Sequence, residues 1–469
     1  MILSRFDRSV FVVLLALAGA LGLTILGGDR VGVQLTRFAP IDVARGASVV
    51  TLQFNEDMNR ISVAERFRLE PPIAGEVTWN GRTMTFRPRD GLQPGTRYAV
   101  TLEAGALSDA GRKVLGEHRF GFTVAGPRIA YLAPIDRAVQ NIWIAEPSDA
   151  PNSHQLTHSA LGILSFDVNP DGGSLVFAEQ NLSGGADLWQ LDLMTQEQRV
   201  LTACGDNLCT NPAWSPDGGR IAFERRGSTP SAIPDVPRDV TRVWLLDLAT
   251  APRRAAPLFD DPQIPRHFRP RWSPDGSRIA VSQPVASSSR GAGVLIHDFA
   301  SGQTDFYPAS STAGAFSPDG ASFAFTALSP RDGEMRTVLR RADLQVKEAA
   351  IIPTLDAPME STEIGWGGAA TAVAVARRYV EGSRSLGQQL YLVDAEDGAV
   401  RPLLVDASYD HEFFSWDPSG RVLVLERSLV RNPDPSARAD PRSQVWLYDT
   451  EQQALTLIAA NAHRPRWVP

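Results

Sequence analysis

The sequence predicts an all-β chain: a β-sandwich followed by a β-propeller, preceded by one transmembrane helix. Seven blades are favoured, with six as the count if one degenerate unit fails. Three observations carry this reading. An uncharged apolar run opens the chain. Short alternating strands punctuated by turn residues follow it. A Pro-Asp-Gly motif then recurs at a spacing of about 50 residues. With 43% hydrophobic and 21% charged residues, the 469-residue chain is not wholesale disordered. A formal net charge of −7 argues against a general nucleic-acid binder, which needs a basic face. The 38 Gly and 34 Pro favour a fold rich in turns. Of 46 basic residues only Lys113 and Lys347 are lysine, which reads first as a genomic habit.

The first element is residues 9–28, SVFVVLLALAGALGLTILGG, without a charge. At 1.5 Å rise per residue such a helix is about 30 Å long, the thickness of a bilayer core. Arg5 and Arg8 precede it, so the positive-inside bias puts residues 1–30 down as a cytoplasmic tip and anchor. Ala18-Gly19-Ala20 has the form of a cleavage site, and a cleaved, secreted chain is the alternative. Either way the expectation is a chain whose bulk is extracytoplasmic, periplasmic or at the cell surface.

The second element, residues 31–126, alternates with period two at 49–54, 83–86, 98–102 and 119–124. Asn80-Gly81 is a hairpin signal, and Gln93-Pro94-Gly95 and Asp109-Ala110-Gly111 are turns. About seven short strands in this length predict a β-sandwich. The stretches LQFNEDMNRISV, EVTWNGRTMTFRPRDGLQPGTRYAVTL, DAGRKVL and HRFGFTV resemble the bacterial Ig-like domain of the SbsA type. That resemblance implies a structural spacer or adhesion module without chemistry. Asn55, Glu56 and Asp57 read as a solvated strand-end turn rather than a cation site.

The third element, residues 127–469, is a repeat array. NPDGGSLVFA, SPDGGRIAFE, SPDGSRIAVS and SPDGASFAFT align, and GGAATAVAVA and DPSGRVLVLE are degenerate copies. An aromatic residue precedes each copy: Phe166, Trp214, Trp272, Phe316, Trp366 and Trp416. Four strands per unit of this length make a propeller blade. In the Pro-Asp-Gly turn, Pro sets φ, Asp bonds its own backbone and Gly takes the left-handed position. The array opens with three strands lacking a first, and it ends with Arg464-Pro465-Arg466-Trp467, a copy of Arg269-Pro270-Arg271-Trp272. The C-terminal strand is therefore expected to complete the N-terminal blade and remove an exposed edge. These motifs resemble the TolB-type WD40-like propeller repeats, which implies a binding platform or a gate beside a peptidase domain.

Long insertions fall on the face opposite the Pro-Asp-Gly turns, where binding usually resides. The candidate partner-binding residues there are Arg225, Arg226, Arg238, Arg266, Arg290, Arg378, Arg384, Arg431 and Arg438. Cys204 and Cys209 are a disulfide candidate in one of these loops. No metalloprotease, nucleophile-elbow or P-loop motif is present, and no catalytic, metal or cofactor residue is expected. The channel-facing strands read as lacking carboxylates and His. The expectation is a membrane-anchored binding or scaffold protein, not an enzyme. Its partner is a protein or peptide, or an acidic envelope polymer. A channel lyase or glycosidase, or a structural envelope protein, is the alternative.

Overall fold

The computed structural model describes residues 32–469 except 47, 90, 148–151, 228–239, 251–252, 262–263, 265, 285–290, 311–313, 332, 355–358, 368–370, 380–386, 418 and 431–441. Leu14, Leu17 and Ala18 are described as well. The chain divides into two compact units, Met1–Ala125 and Gly126–Pro469.

The expected single-pass membrane protein is corrected here. Among the described residues no helix is long and apolar enough to cross a membrane. Apart from the three residues just named, segment 9–28 lies outside the described residues.

Among the described residues the first unit holds two four-stranded sheets. One orders Leu35–Ala39, Val50–Phe54, Thr83–Pro88 and Gly75–Asn80, and the other Asp42–Ala44, His118–Val124, Arg97–Leu102 and Phe67–Glu70. Strand alternation explains the packing. Val50, Leu52 and Phe54 point inward and are buried, while Gln53 between them is exposed. Asn80-Gly81 makes the hairpin, with Gly81 at φ +53°. A short helix, Arg60–Ala64, was not anticipated; Asn59 caps it by accepting from the Ser62 N–H at 3.0 Å. Glu56 is not the solvated turn residue expected. It is nearly buried and pairs with Arg112 at 2.8 Å.

The second unit carries seven four-stranded antiparallel sheets among the described residues, one per blade. A single parallel contact, Ala186 to Leu208, links the second and third. Blade one is built from both ends of the unit: His463–Val468 pairs with Arg128–Ala133, followed by Asn141–Ala145 and Ser153–Gln155. The innermost strands of blades two to seven are Ile163–Val168, Leu208–Trp214, Phe268–Trp272, Gly314–Phe316, Met359–Trp366 and Tyr409–Trp416. Second strands are apolar on both faces because each sheet packs between two others. Leu175, Val176, Phe177 and Ala178 are all buried in this way.

The recurring turn has the expected mechanism and one component the spacing did not reveal. Gly172, Gly218, Gly276, Gly320 and Gly420 sit near φ +70°. The Asp217 carboxylate accepts from the Gly219 N–H at 3.0 Å. The unexpected component is the serine before Pro. Ser215 is fully buried, accepts from the Arg220 N–H at 2.9 Å and donates to Asp217. Ser273 and Ser317 repeat this arrangement. Ser215→Ala is expected to cost about 1–2 kcal/mol, because a buried backbone N–H loses its acceptor. An unchanged urea midpoint would contradict that role.

Three tryptophans near the ends of innermost strands stitch blades together. The indole N–H of Trp272 donates to the Ala213 carbonyl of blade three, Trp366 to Ala315 of blade five and Trp467 to Ser415 of blade seven, at 3.0, 3.0 and 3.1 Å. Trp214 differs, donating to Gly218 in its own turn.

Candidate functional site

Six of the seven blades line a central cavity of about 520 Å³ through their innermost strands. Its geometry begins with a proline. In Asn211-Pro212, Arg269-Pro270 and Arg464-Pro465 the ring removes a ladder N–H from the strand. Each strand bulges at that point, with a register shift across the dipeptide. The residue before Pro takes φ +48°, +53° and +52° respectively. All three of these residues are exposed and line the cavity.

Carboxylates anchor the bulges. Glu224 accepts from the Arg269 N–H and Glu426 from the Arg464 N–H, both at 2.9 Å. Glu224 and Glu426 occupy the same place in their repeats, at the end of SPDGGRIAFE and DPSGRVLVLE. For Asn211 the acceptor is the Ser165 hydroxyl, at 2.8 Å. The second arginine of each Arg-Pro-Arg-Trp copy is engaged elsewhere in the ring. Arg271 pairs with Glu363 of blade six at 3.3 Å, and Arg466 with Asp167 of blade two at 3.7 Å. Arg466 also lies over the Phe413 ring, 4.8 Å from its centroid.

This corrects the reading that the channel strands supply no carboxylate or His. Asp167, Glu363, Glu412 and His463 all face the cavity. That reading rested on Asn-Pro-Ala-Trp, Arg-Pro-Arg-Trp and Ala-Gly-Ala-Phe, whereas Asp167, Glu363 and Glu412 stand on the first strands of blades two, six and seven, and His463 just before Arg464. The usable signal was the tetrapeptide Arg-Pro-Arg-Trp occurring twice.

Burial perturbs these groups. It raises the Asp167 carboxyl despite the opposing pull of Arg466. It raises Glu412 too, and the neighbouring Glu426 and Asp410 add to the effect. It lowers His463 to about 4, helped by Arg464, while His463 Nε2 lies 2.8 Å from Gln140 Oε1. Among the described residues no group of three or more His, Cys, Asp or Glu is arranged to hold a metal ion.

The loop-face candidates are dispersed. Arg225 and Arg226 end a strand of blade three, Arg266 precedes blade four and Arg378 belongs to blade six. The Arg225 guanidinium stacks over Trp244, 4.8 Å from the ring centroid, and burial lowers its pKa. Arg238, Arg290, Arg384, Arg431 and Arg438 lie outside the described residues. Cys204 and Cys209 form a disulfide that closes the loop before Leu208–Trp214.

Residues 29–124 match the family described as the bacterial Ig-like domain. No curated protein sequence matches the chain. Among solved structures, a prolyl endopeptidase gives a TM-score of 0.51 at 12% identity, over 79% of this chain and 49% of its own. TolB from Acinetobacter baumannii gives 0.38 at 16% identity, over 72% and 82%. An oligogalacturonate lyase from Vibrio parahaemolyticus gives 0.48 at 13% identity, over 71% and 86%. Identities this low speak to fold alone. The chain thus joins a segment that matches the bacterial Ig-like domain to a seven-bladed β-propeller.

Proposed function

We propose that the chain is a binding protein whose ligand enters the propeller channel, with the Ig-like domain serving as a spacer. The observation that carries this reading is the cavity itself. Its charged side chains come from six blades and are held by backbone N–H groups and cross-ring ion pairs. Such prior ordering lowers the entropy cost of capturing a ligand. Four arginines and five carboxylates line it; Arg271 and Arg466 are paired with Glu363 and Asp167, and Arg269 and Arg464 are the cations that suit an anionic group: a peptide or protein carboxylate, or a segment of an acidic polymer. A secreted or periplasmic location fits the Cys204–Cys209 disulfide.

The test is a thermal-shift panel of anionic, neutral and cationic small molecules and peptides. Anionic members are expected to raise the midpoint, and Ala213→Trp, which fills the channel wall, to abolish the shift. Arg226→Glu with Arg378→Glu is the loop-face control. Loss of the shift in that control, with Ala213→Trp unaffected, would move binding to the loops and defeat the channel reading.

A second reading, a channel enzyme of lyase or glycosidase type, is favoured by Glu412, which lines the cavity and whose carboxyl is raised by partial desolvation there and by Glu426 and Asp410. It requires turnover of an acidic oligosaccharide that Glu412→Gln abolishes. Product formation unchanged in that variant would remove Glu412 from the reading.

A further inference from the structure

We propose that Arg269 and Arg464 form a two-ended anion site that takes a small dicarboxylate, one carboxylate to each guanidinium. The proposal rests on the channel reading above and specifies its ligand class.

The two residues are equivalent positions of one motif, placed in blades four and one. In a seven-bladed ring those blades are separated by two blades on one side and three on the other. Their innermost strands therefore face each other across the channel. Both side chains line the cavity and are exposed within it.

The inner pair of arginines is engaged, and the outer pair is presented. Arg271 and Arg466 are bound to Glu363 and Asp167. Glu224 and Glu426 each give an oxygen to a backbone N–H, and Glu426 also accepts from the Ser443 hydroxyl at 2.8 Å. Arg464 spends one nitrogen on the Leu164 carbonyl at 2.9 Å, which orients its fork without neutralising it.

The backbone supplies an independent argument. A left-handed conformation is uncommon for an arginine and is kept only where surrounding groups impose it. Here a nearly buried glutamate holds each one by its N–H, twice, at matching positions. Asn211, at the same position in blade three, is a residue that accepts this conformation readily. Arginine at the other two places is thus chosen for its head group rather than for its backbone.

The positions of the heads select the ligand. Bidentate guanidinium forks match carboxylates in geometry. A molecule with an anionic group at each end can engage both at once. Burial and the like charges of Arg466 and Arg269 lower the Arg464 pKa against the opposing pull of Glu426 and Glu224.

The experiment is calorimetric titration of the full chain with malonate, succinate, glutarate and adipate, against acetate and inorganic phosphate. One dicarboxylate is expected to bind at least about tenfold more tightly than acetate or phosphate. Arg269→Gln and Arg464→Gln are each expected to reduce it to the acetate level. Arg401→Gln, an exposed change on the outer strand Val400–Leu404, is expected to leave affinity within about twofold. Circular dichroism melting of each variant shows that it is folded. Equal binding of acetate and dicarboxylates, preference for phosphate, wild-type affinity in either variant, or no dicarboxylate binding overturns the site. If the panel shifts still disappear in Ala213→Trp, only the dicarboxylate assignment falls. If they persist there, the channel reading falls with it.

Discussion

Ending the chain after Ala462 is expected to abolish the closed propeller. The lost segment is the innermost strand of blade one, and it pairs with Arg128–Ala133 along the register Val468 to Arg128 and Trp467 to Ile129. Val468 is fully buried against Leu132 and Ile142, and Trp467 ties blade one to Ser415 of blade seven. Removing the strand bares an edge whose neighbours Ile129, Ala130, Tyr131 and Leu132 are all buried, an invitation to intermolecular pairing. The loss of apolar burial and of the indole bond exceeds about 5 kcal/mol, comparable to the whole stability of many domains. Size-exclusion chromatography is expected to show aggregate in place of the intact chain's discrete peak. A graded version, Trp467→Ala, is expected to cost about 3 kcal/mol. A truncated monomer with an unaltered melting midpoint would show that closure contributes little.

Mild acid is expected to weaken the propeller before the carboxylates of its turns titrate. His267 and His411 are completely buried, and burial lowers them from 6.5 to about 3 and about 4. In His267 the Nδ1 atom accepts from the Val243 N–H at 3.0 Å, so protonation there breaks a strand contact. Nε2 of both rings is buried without a partner, so a charge on either ring has little to solvate it. His463 behaves similarly, at about 4.

The sign follows from linkage. Below pH 6.5 the unfolded chain binds these protons and the folded chain does not, so stability falls as pH falls. The loss begins near pH 6.5 and is complete near 4 for His411 and His463, and near 3 for His267. A shift of the size found for His411 corresponds to about 3 kcal/mol. Asp192, Asp217, Asp298 and Asp319 add a second loss at lower pH. Hydrogen bonds from turn residues hold their carboxyls below the usual range, and that stabilisation disappears as they protonate. Asp167 and Glu412 run the other way, because burial raises them and acid relieves them. Urea unfolding followed by tryptophan fluorescence reports the propeller, since only Trp79 of the ten Trp lies in the first unit. The midpoint is expected to drop between pH 6.5 and 4.5, and His411→Gln to flatten part of that slope. A midpoint constant across this range would refute the account.

The strands and turns were legible because their causes are local. Asn80-Gly81 and the Pro-Asp-Gly turns impose backbone angles through their own residues, and the alternation of Val50, Leu52 and Phe54 needs only the strand period. Ring closure was legible for a different reason: Arg464–Trp467 copies Arg269–Trp272, so the last strand declared itself a first strand without a blade. The candidate site was not legible. Arginines were expected to act from loops, yet Arg225 is stacked on Trp244, and the arginines that line the cavity lie within strands.

By itself, then, the sequence determined the Pro-Asp-Gly turns, a ring of seven blades or six and the partner for the last strand, all set by residues near one another or by repetition. Only the tertiary structure decided which side chains meet inside the ring. Pairs such as Arg271 with Glu363 and Arg466 with Asp167 join distant blades. The Pro-induced bulges also exchange inner and outer faces at the places where the channel is lined. Neither effect can be seen in a strand considered alone, because each depends on where the ring brings other strands.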